Sequence, residues 1–435
     1  MAPDSRAGRR RRLLITSTHY WPEPTGNAPY VTGLAEYLAE REYDVTVLTT
    51  FPHYPGWQFA GRVALGASET RRGVAIRRRI HALPGNQSAA SRAVYEASAY
   101  AGGLTGLPLL ARPDVVLGIC PDLAGAGLAA TAAATTRRPY GLLFQDVMGL
   151  AADESGVPGG HRVARVVRAL ERGLARRAAR IGIVAEGFRP YFAEAGISAI
   201  DRLRNWVLSD EAIADPDAVR EELGWPADHL VCLHAGNMGR KQGLENLLAT
   251  AVLIRGLPIK LVLAGDGHER QGLERRLAEL RLDDVSFLPL QPAGRYETVL
   301  RAADVLLVNQ LRSVGAMALP SKLTSYFAAG RPIVAAAAAN SETARELLAA
   351  DAGVVVEPGD PAVLAACLRE MLEERHDRRA MGERGRRYAM RILSPERVLP
   401  EYEVFLSRLT ERPHRAVRAP ADLENSPGRN DAQHV

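Results

Sequence analysis

Twelve short apolar runs alternate along this chain with stretches of helical periodicity, and that alternation restricts the fold more than any other feature. The first six are Leu13–Ser17, Val45–Thr49, Val74–Arg78, Val115–Ile119, Gly141–Phe144 and Ile181–Val184. The second six are Leu230–His234, Lys260–Ala264, Val285–Leu288, Val305–Val308, Ile333–Ala336 and Val354–Glu357. Strands that alternate with helices build βαβ units, and continuously apolar strands are covered on both faces by helices. The expected fold is therefore α/β, with two doubly wound parallel-sheet (Rossmann-like) domains. A length of 435 residues exceeds one ordinary core and suits two. The pattern puts the boundary near Val207–Asp217, so that the domains are 12–207 and 208–394. A last helix is expected within 395–411, crossing back to the first domain. The tail 412–435, poor in apolar residues, reads as disordered.

Charge and cysteine usage narrow the function. Three scattered cysteines, Cys120, Cys232 and Cys367, form no CxxC or Cys/His cluster, which points to a reducing cytoplasm without a zinc site. The net charge of +5 comes with no basic motif interleaved with aromatics, so nucleic acid is not expected. An anionic membrane surface or a phosphorylated substrate suits the charge, although a merely solvated surface does as well. No signal peptide and no transmembrane helix is expected, which leaves a cytoplasmic protein with room for peripheral contact at the inner face of a membrane. Two segments could make that contact: Ala89–Leu110, and the basic amphipathic helix around His161–Ile181, which also reads as an ordinary helix packed on a sheet.

Only three of the 55 basic residues are lysine: Lys241, Lys260 and Lys322. Where arginine has taken nearly every basic position, a retained lysine draws notice, because a compact ammonium and a planar guanidinium differ at a tight phosphate site. Two of the three lie in loops that look built for anions. After the strand ending at His234-Ala235 come Gly236, Asn237, Met238, Gly239, Arg240, Lys241, Gln242 and Gly243, then a helix near Leu244. Glycines allow close backbone approach, and a helix N-terminus offers free N–H groups. Around Pro320-Ser321-Lys322, a lysine in a first helical turn opposes the helix dipole, and a bound anion would remove that conflict. A third turn, His19 to Tyr30, holds Thr25, Gly26 and Asn27 before a helix running to about Arg41. Each loop also has a plain structural reading, as a Gly-rich turn or, for Asn27, a helix cap. Gly265-Asp266-Gly267 is weak evidence for a dinucleotide site, no Walker A or GxSxG sequence occurs, and no Asp-x-Asp lies in a metal-binding loop, so a metal-bridged diphosphate is not indicated.

Taken together, these loops resemble glycosyltransferase family 4, and within it the colanic-acid-type subgroup. The resemblance runs from about Leu13 to Leu409. It rests on His19 to Tyr30, Phe51-Pro52-His53-Tyr54-Pro55, Arg112-Pro113-Asp114-Val115, Gln145-Asp146, Asn205-Trp206, Gly236 to Glu245, and Pro320-Ser321-Lys322. It implies a retaining, metal-independent enzyme of GT-B architecture with no cofactor, in which 12–207 is the acceptor side and 208–394 binds the nucleotide-diphosphate sugar donor, usually UDP-linked. Carried over by position, Arg240, Lys241, Ser321 and Lys322 would neutralise the diphosphate, with Asn237 in the same loop. Gly26 and Asn27 would close over the donor, and Glu342 would lie near its sugar. Asp146, after the strand Gly141–Phe144, is the candidate catalytic carboxylate, with a helix cap as its alternative. His19, Tyr30 and His53 are acceptor-side candidates. In one place the chain departs from many members: Met317 and Ser325 stand where a Glu-x7-Glu pair is expected, and the second of those glutamates usually grips the donor ribose.

The expected activity is transfer of an N-acetylhexosamine or deoxyamino sugar to a lipid-linked saccharide or to a small-molecule, secondary-metabolite acceptor such as an antibiotic. Two other readings stay open at this level: a sugar-nucleotide epimerase of the same architecture, and a degenerate, non-catalytic scaffold.

Overall fold

The computed structural model describes residues 9–411, apart from 25, 55, 84, 86–87, 152–159, 209–214, 318–321 and 375. Ser321, Pro320, Thr25 and the tail 412–435 therefore lie outside the described residues.

Two sheets form the frame. The first contains β1 (Arg11–Thr16), β2 (Tyr43–Thr50), β3 (Gly66–Arg71), β4 (Val74–Arg79), β5 (Val115–Cys120), β6 (Tyr140–Phe144), β7 (Arg180–Ile183) and β8 (Ile200–Arg202). Their order is β3-β4-β2-β1-β5-β6-β7-β8, all parallel except β3, which pairs antiparallel with β4. The second sheet holds β9 (Leu230–Ala235), β10 (Ile259–Ala264), β11 (Val285–Leu288), β12 (Val305–Asn309), β13 (Ile333–Ala336) and β14 (Gly353–Val356), in the order β11-β10-β9-β12-β13-β14. The chain is thus α/β with two parallel-sheet layers of the expected doubly wound kind, and every one of the twelve apolar runs is a strand.

The central strands are buried along their whole length, as β5, β6, β9 and β12 show, because helices cover both faces. Helix Pro395–Thr410 returns to the first sheet. Its Val398, Tyr402, Phe405, Leu406 and Leu409 join the same buried cluster as β1, β5 and β6. Gly141 makes room for it, since a Cβ there would meet the Leu409 and Phe405 side chains at about 3 Å. Tyr402 fixes the register by donating to the carbonyl of Arg204 at 3.0 Å.

Two segments considered for membrane contact fare differently. Helix Ala89–Gly106 turns Tyr95 into the core, and Tyr100 reaches Thr131 at 2.9 Å, so its aromatic residues pack on the sheet. Helix Gly160–Arg177 leaves Val163, Val166 and Leu170 exposed beside Arg165 and Arg176. No helix among the described residues is long and apolar enough to cross a membrane.

Candidate active site

The carboxyl ends of the two sheets meet across a cleft, and loops leaving those ends supply the candidate residues. Several contacts tie the sides together. Lys241 Nζ, after β9, lies 3.7 Å from Asp146 Oδ2, after β6. Tyr30 Oη and Thr324 Oγ1 are 3.3 Å apart. The Glu342 carboxylate accepts the backbone N–H groups of Glu186 and Gly187 at 3.3 and 3.0 Å. Arg202 pairs with Glu346.

The second-sheet wall is built around Gly236 and Lys322. Gly236 has φ 136°, and Gly265 packs so closely beside it that a Cβ on Gly265 would stand 2.0 Å from the Gly236 carbonyl oxygen. This packing explains Gly265-Asp266-Gly267, which supports the neighbouring loop. The Arg240–Gln242 turn ends at Gly243 in the left-handed region (φ 55°), and helix Glu245–Leu253 follows. Asn309, buried at the end of β12, holds this turn by donating to the carbonyls of Gln242 and Gly243 at 2.7 and 2.9 Å. Arg240 and Asn237 are exposed, and Lys241 is half-buried.

Lys322 begins helix Lys322–Ala329 and runs across Gly236, whose missing Cβ leaves the space: a Cβ there would lie 3.3 Å from Lys322 Cε. Its ammonium donates to Gln242 Oε1 at 3.1 Å and sits 3.2 Å from His234 Nε2. His234 Nδ1 faces the Leu307 carbonyl at 3.2 Å, so Nε2 is the lone-pair side turned to the ammonium. No carboxylate pairs with Lys322 in these contacts, and desolvation lowers its ammonium to about 7. His234 is pushed well down by burial and by Lys322 itself. Gly330 closes the helix with φ 69°, as its place before Pro332 suggests.

The first-sheet wall carries His19, Glu23 and the 51–54 turn. Glu23 is buried, with Oε2 2.7 Å from His19 Nδ1, while Oε1 accepts the N–H groups of His53 and Tyr54 at 2.9 and 3.0 Å. His19 Nε2 faces Asp122 Oδ2 at 3.6 Å. Burial alone would lower the His19 pKa; the Glu23 hydrogen bond and the Asp122 charge outweigh it and leave the group above its ordinary value. His53 is buried, turns Nδ1 to the Phe51 carbonyl at 2.9 Å, and is lowered by burial and by His19. The His81 ring lies tilted against it, 4.6 Å between centroids, and is lowered to about 3 by burial and then by His53. His19, Glu23 and His53 bring ligand-type atoms within 4.8 Å of one another. The Glu23 oxygens are occupied by two backbone N–H groups and His19, so the trio reads as a hydrogen-bonded network rather than an ion site.

The remaining candidates take these places. Gly26 (φ 70°) lies against the Tyr54 ring, 3.4 Å from where a Cβ would be. Asn27 stands at the N-cap of helix Ala28–Glu40 without a side-chain capping bond. Tyr30 is fully buried between Thr324 and Trp206. Asp146 accepts the Val147 N–H at 2.8 Å through Oδ1 and turns Oδ2 to Lys241. Glu342 is buried and gripped by the other wall and by Arg345. The structure thus brings together Lys241 and Asp146, and separately Lys322 with Gly236; His53 and Tyr30 lie behind the cleft surface. Sequence reading missed Glu23, Asp122, His234, Gln242 and Asn309. A Glu four residues after His19 and an Asp two residues after β5 were the available signals.

Comparison with known proteins bears on the family and on the two-sheet fold. Residues 25–206 match the model described as a glycosyl transferase 4-like domain, and residues 215–388 match that of glycosyl transferases group 1. The chain is 29% identical over 410 residues to the putative colanic acid biosynthesis glycosyl transferase WcaI of Escherichia coli K12, covering 90% of this chain and 98% of that one. It is 32% identical to the D-inositol 3-phosphate glycosyltransferase of Thermomonospora curvata, over 47% of this chain and 46% of that one. Among solved structures, sucrose-phosphate synthase of Thermosynechococcus elongatus superposes with a TM-score of 0.74 at 15% identity, covering 92% of this chain and 99% of that one. Anabaena Alr3699/HepE in complex with UDP-glucose gives 0.64 at 17% identity, covering 91% and 99%. Two facing parallel sheets, matched by two adjoining family models and by a relative over nearly its whole length, place this chain among the GT-B glycosyltransferases of family 4.

Proposed function

We propose that this glycosyltransferase moves an N-acetylhexosamine or deoxyamino sugar from a UDP-linked donor to a lipid-linked saccharide or a secondary-metabolite acceptor, with retention and without a metal. Residues 208–394 take the donor and 12–207 the acceptor, and helix 395–411 closes the first half. The observation that carries the donor assignment is Lys322: an ammonium laid over Gly236, with no carboxylate partner among the described residues, in a cleft that opens beside Lys241 and Arg240. A half-buried, desolvated cation without a counter-charge is costly, and a diphosphate supplies the charge. Lys241, Arg240 and Lys322 neutralise the leaving diphosphate, with Asn237 in the same loop as the first two; Ser321, which precedes Lys322 in the chain and lies outside the described residues, is assigned to the same role. Gly26 and Asn27 approach from the facing loop, and Glu342 orders the sugar end of the cleft. Asp146, set against Lys241, stabilises the sugar as positive charge builds at its anomeric carbon. UDP is favoured because solved relatives of the same fold carry UDP and UDP-glucose. The exposed Val163, Val166 and Leu170 beside arginines fit a peripheral contact with an anionic leaflet.

A thermal-shift titration with UDP, GDP, ADP and TDP on the wild type and on Lys241→Ala tests the donor site. A shift with UDP, reduced in the variant, is expected. No shift with any of the four, or an unchanged shift in the variant, would overturn the assignment.

A further inference from the structure

The turn that carries Asp146 is held on both flanks. Ahead of it, the Gln145 N–H donates to the Cys120 carbonyl at 3.2 Å, and Gln145 Oε1 accepts the Asn205 amide at 2.8 Å. Behind it, Val147 is buried and the one-turn helix Met148–Ala151 begins. The first N–H groups of a helix need acceptors, ordinarily a Ser, Thr, Asp or Asn side chain just before them, and Val147 has none to offer. The acceptor comes instead from helix Gly160–Arg177. Glu171 takes the Met148 N–H on Oε1 at 3.1 Å and the Gly149 N–H on Oε2 at 3.2 Å. Tyr191, from helix Arg189–Ala193, donates its hydroxyl to the same Oε2 at 2.6 Å. The approach is close enough to require a glycine: a Cβ on Gly149 would stand 2.2 Å from Tyr191 Oη and 2.9 Å from Glu171 Oε2.

Glu171 is 2% exposed, and among the described residues no cation forms an ion pair with it. A Ser or Thr ahead of the helix would cap a single turn without burying a charge, so capping alone does not account for a carboxylate here. Its two oxygens fix the two peptide units that follow Val147. Asp146 Oδ1 is bonded in turn to the Val147 N–H at 2.8 Å, so the direction of Oδ2, toward Lys241, follows the backbone that Glu171 holds. We infer that Glu171 is a positioning residue for the reaction: it sets the direction of the Asp146 carboxylate by gripping the two peptide groups behind it. Charge developing at an anomeric carbon is stabilised only by a group at the right distance and angle, so misplacement slows the step more than it weakens donor binding. Buried behind the turn, Glu171 itself meets no substrate.

This inference rests on Asp146 being the carboxylate of the reaction, and the test keeps the two apart. UDP release in water from UDP-N-acetylglucosamine and from UDP-glucose is measured for wild type, Asp146→Asn, Glu171→Gln and the double variant, with the melting temperature and UDP thermal shift of each. Glutamine keeps the size of the side chain but turns an NH2 group toward one of the donors. Glu171→Gln is expected to lose about 10- to 100-fold in kcat, with KM for the donor and the UDP shift close to wild type. In the double variant the losses should not multiply: kcat should match that of Asp146→Asn, because Glu171 acts through that residue. Gly149→Ala pushes the turn off Glu171 without altering it. It should repeat the kcat loss and the non-additivity, and it carries the test if Glu171→Gln fails to fold. Wild-type kcat in Glu171→Gln beside a slow Asp146→Asn, a KM that rises in step with the fall in kcat, or losses that multiply overturn the role of Glu171 alone. Wild-type kcat in Asp146→Asn overturns the reading of Asp146 and this one with it. No turnover of either donor by the wild type overturns the donor reading and both roles together.

Discussion

Lys241 Nζ and Asp146 Oδ2 face each other across the cleft at 3.7 Å, each about two-fifths exposed. An ion pair so open to water contributes little to stability. Its interest lies in what each group does when a diphosphate enters. Removing the ammonium in Lys241→Ala should weaken binding of a UDP-sugar about tenfold or more, the scale of one charge-assisted contact. Asp146→Asn should lower kcat by a larger factor than it raises the donor dissociation constant. Equal effects on the two quantities would remove Asp146 from the reacting centre.

Lys322 should make donor binding depend on pH. Burial lowers its folded pKa from 10.5 to about 7, so between those values the folded apoprotein binds fewer protons than the unfolded chain. Stability of the apoprotein should therefore rise with pH through that window. The diphosphate needs the ammonium, so affinity for a UDP-sugar should fall as pH rises above about 7, approaching tenfold per unit. Calorimetry at pH 8 in two buffers of different ionisation enthalpy should show proton uptake on binding. In Lys322→Met both the uptake and the pH slope should disappear.

Gly265 supports the anion loop by closeness alone. A Cβ there would meet the Gly236 carbonyl oxygen at 2.0 Å, and φ 127° adds strain. Gly265→Ala is expected to cost about 2 kcal/mol or more in denaturant unfolding and to weaken UDP binding. Gly256→Ala is the control: φ is positive there as well, at 80°, but nothing lies within 4 Å of the added carbon, so UDP binding should stay unchanged.

Glu342 holds the two walls together through the Glu186 and Gly187 N–H groups. Glu342→Ala leaves both donors and the Arg345 guanidinium without their acceptor. A loss of about 1–3 kcal/mol is expected, with a larger radius of gyration in small-angle scattering and a raised KM for donor. Unchanged scattering would assign Glu342 a purely local role.

The frame of this protein was legible because its strands are buried on both faces and so announce themselves as apolar runs. The two strands that escaped notice lack that signature. β3 (Gly-Ala-Ser-Glu-Thr-Arg) is a polar edge strand with partial exposure along its length, and β8 (Ile-Asp-Arg) is three residues at the opposite edge. The lysine count and glycine spacing pointed to the second-sheet loops, where composition and function coincide. The first-sheet wall was harder to read. His19 could be singled out, but its partner Asp122 lies 103 residues away, and its separation from ordinary capping depends on Glu96, a third segment. Such a constellation becomes visible only once β1 and β5 are neighbours. Glu342 shows the converse: its place in the motif suggested a sugar contact, while its observed partners are backbone N–H groups of the opposite wall.

The chain passes between the two sheets twice, once after β8 and once before helix Pro395–Thr410, and at the crossing the Val207 N–H donates to the Leu393 carbonyl at 2.8 Å. The two crossings are thus laced together at one point instead of running as separate tethers. A change in the angle between the two sheets would have to turn about this point, which lies away from Lys241 and Asp146.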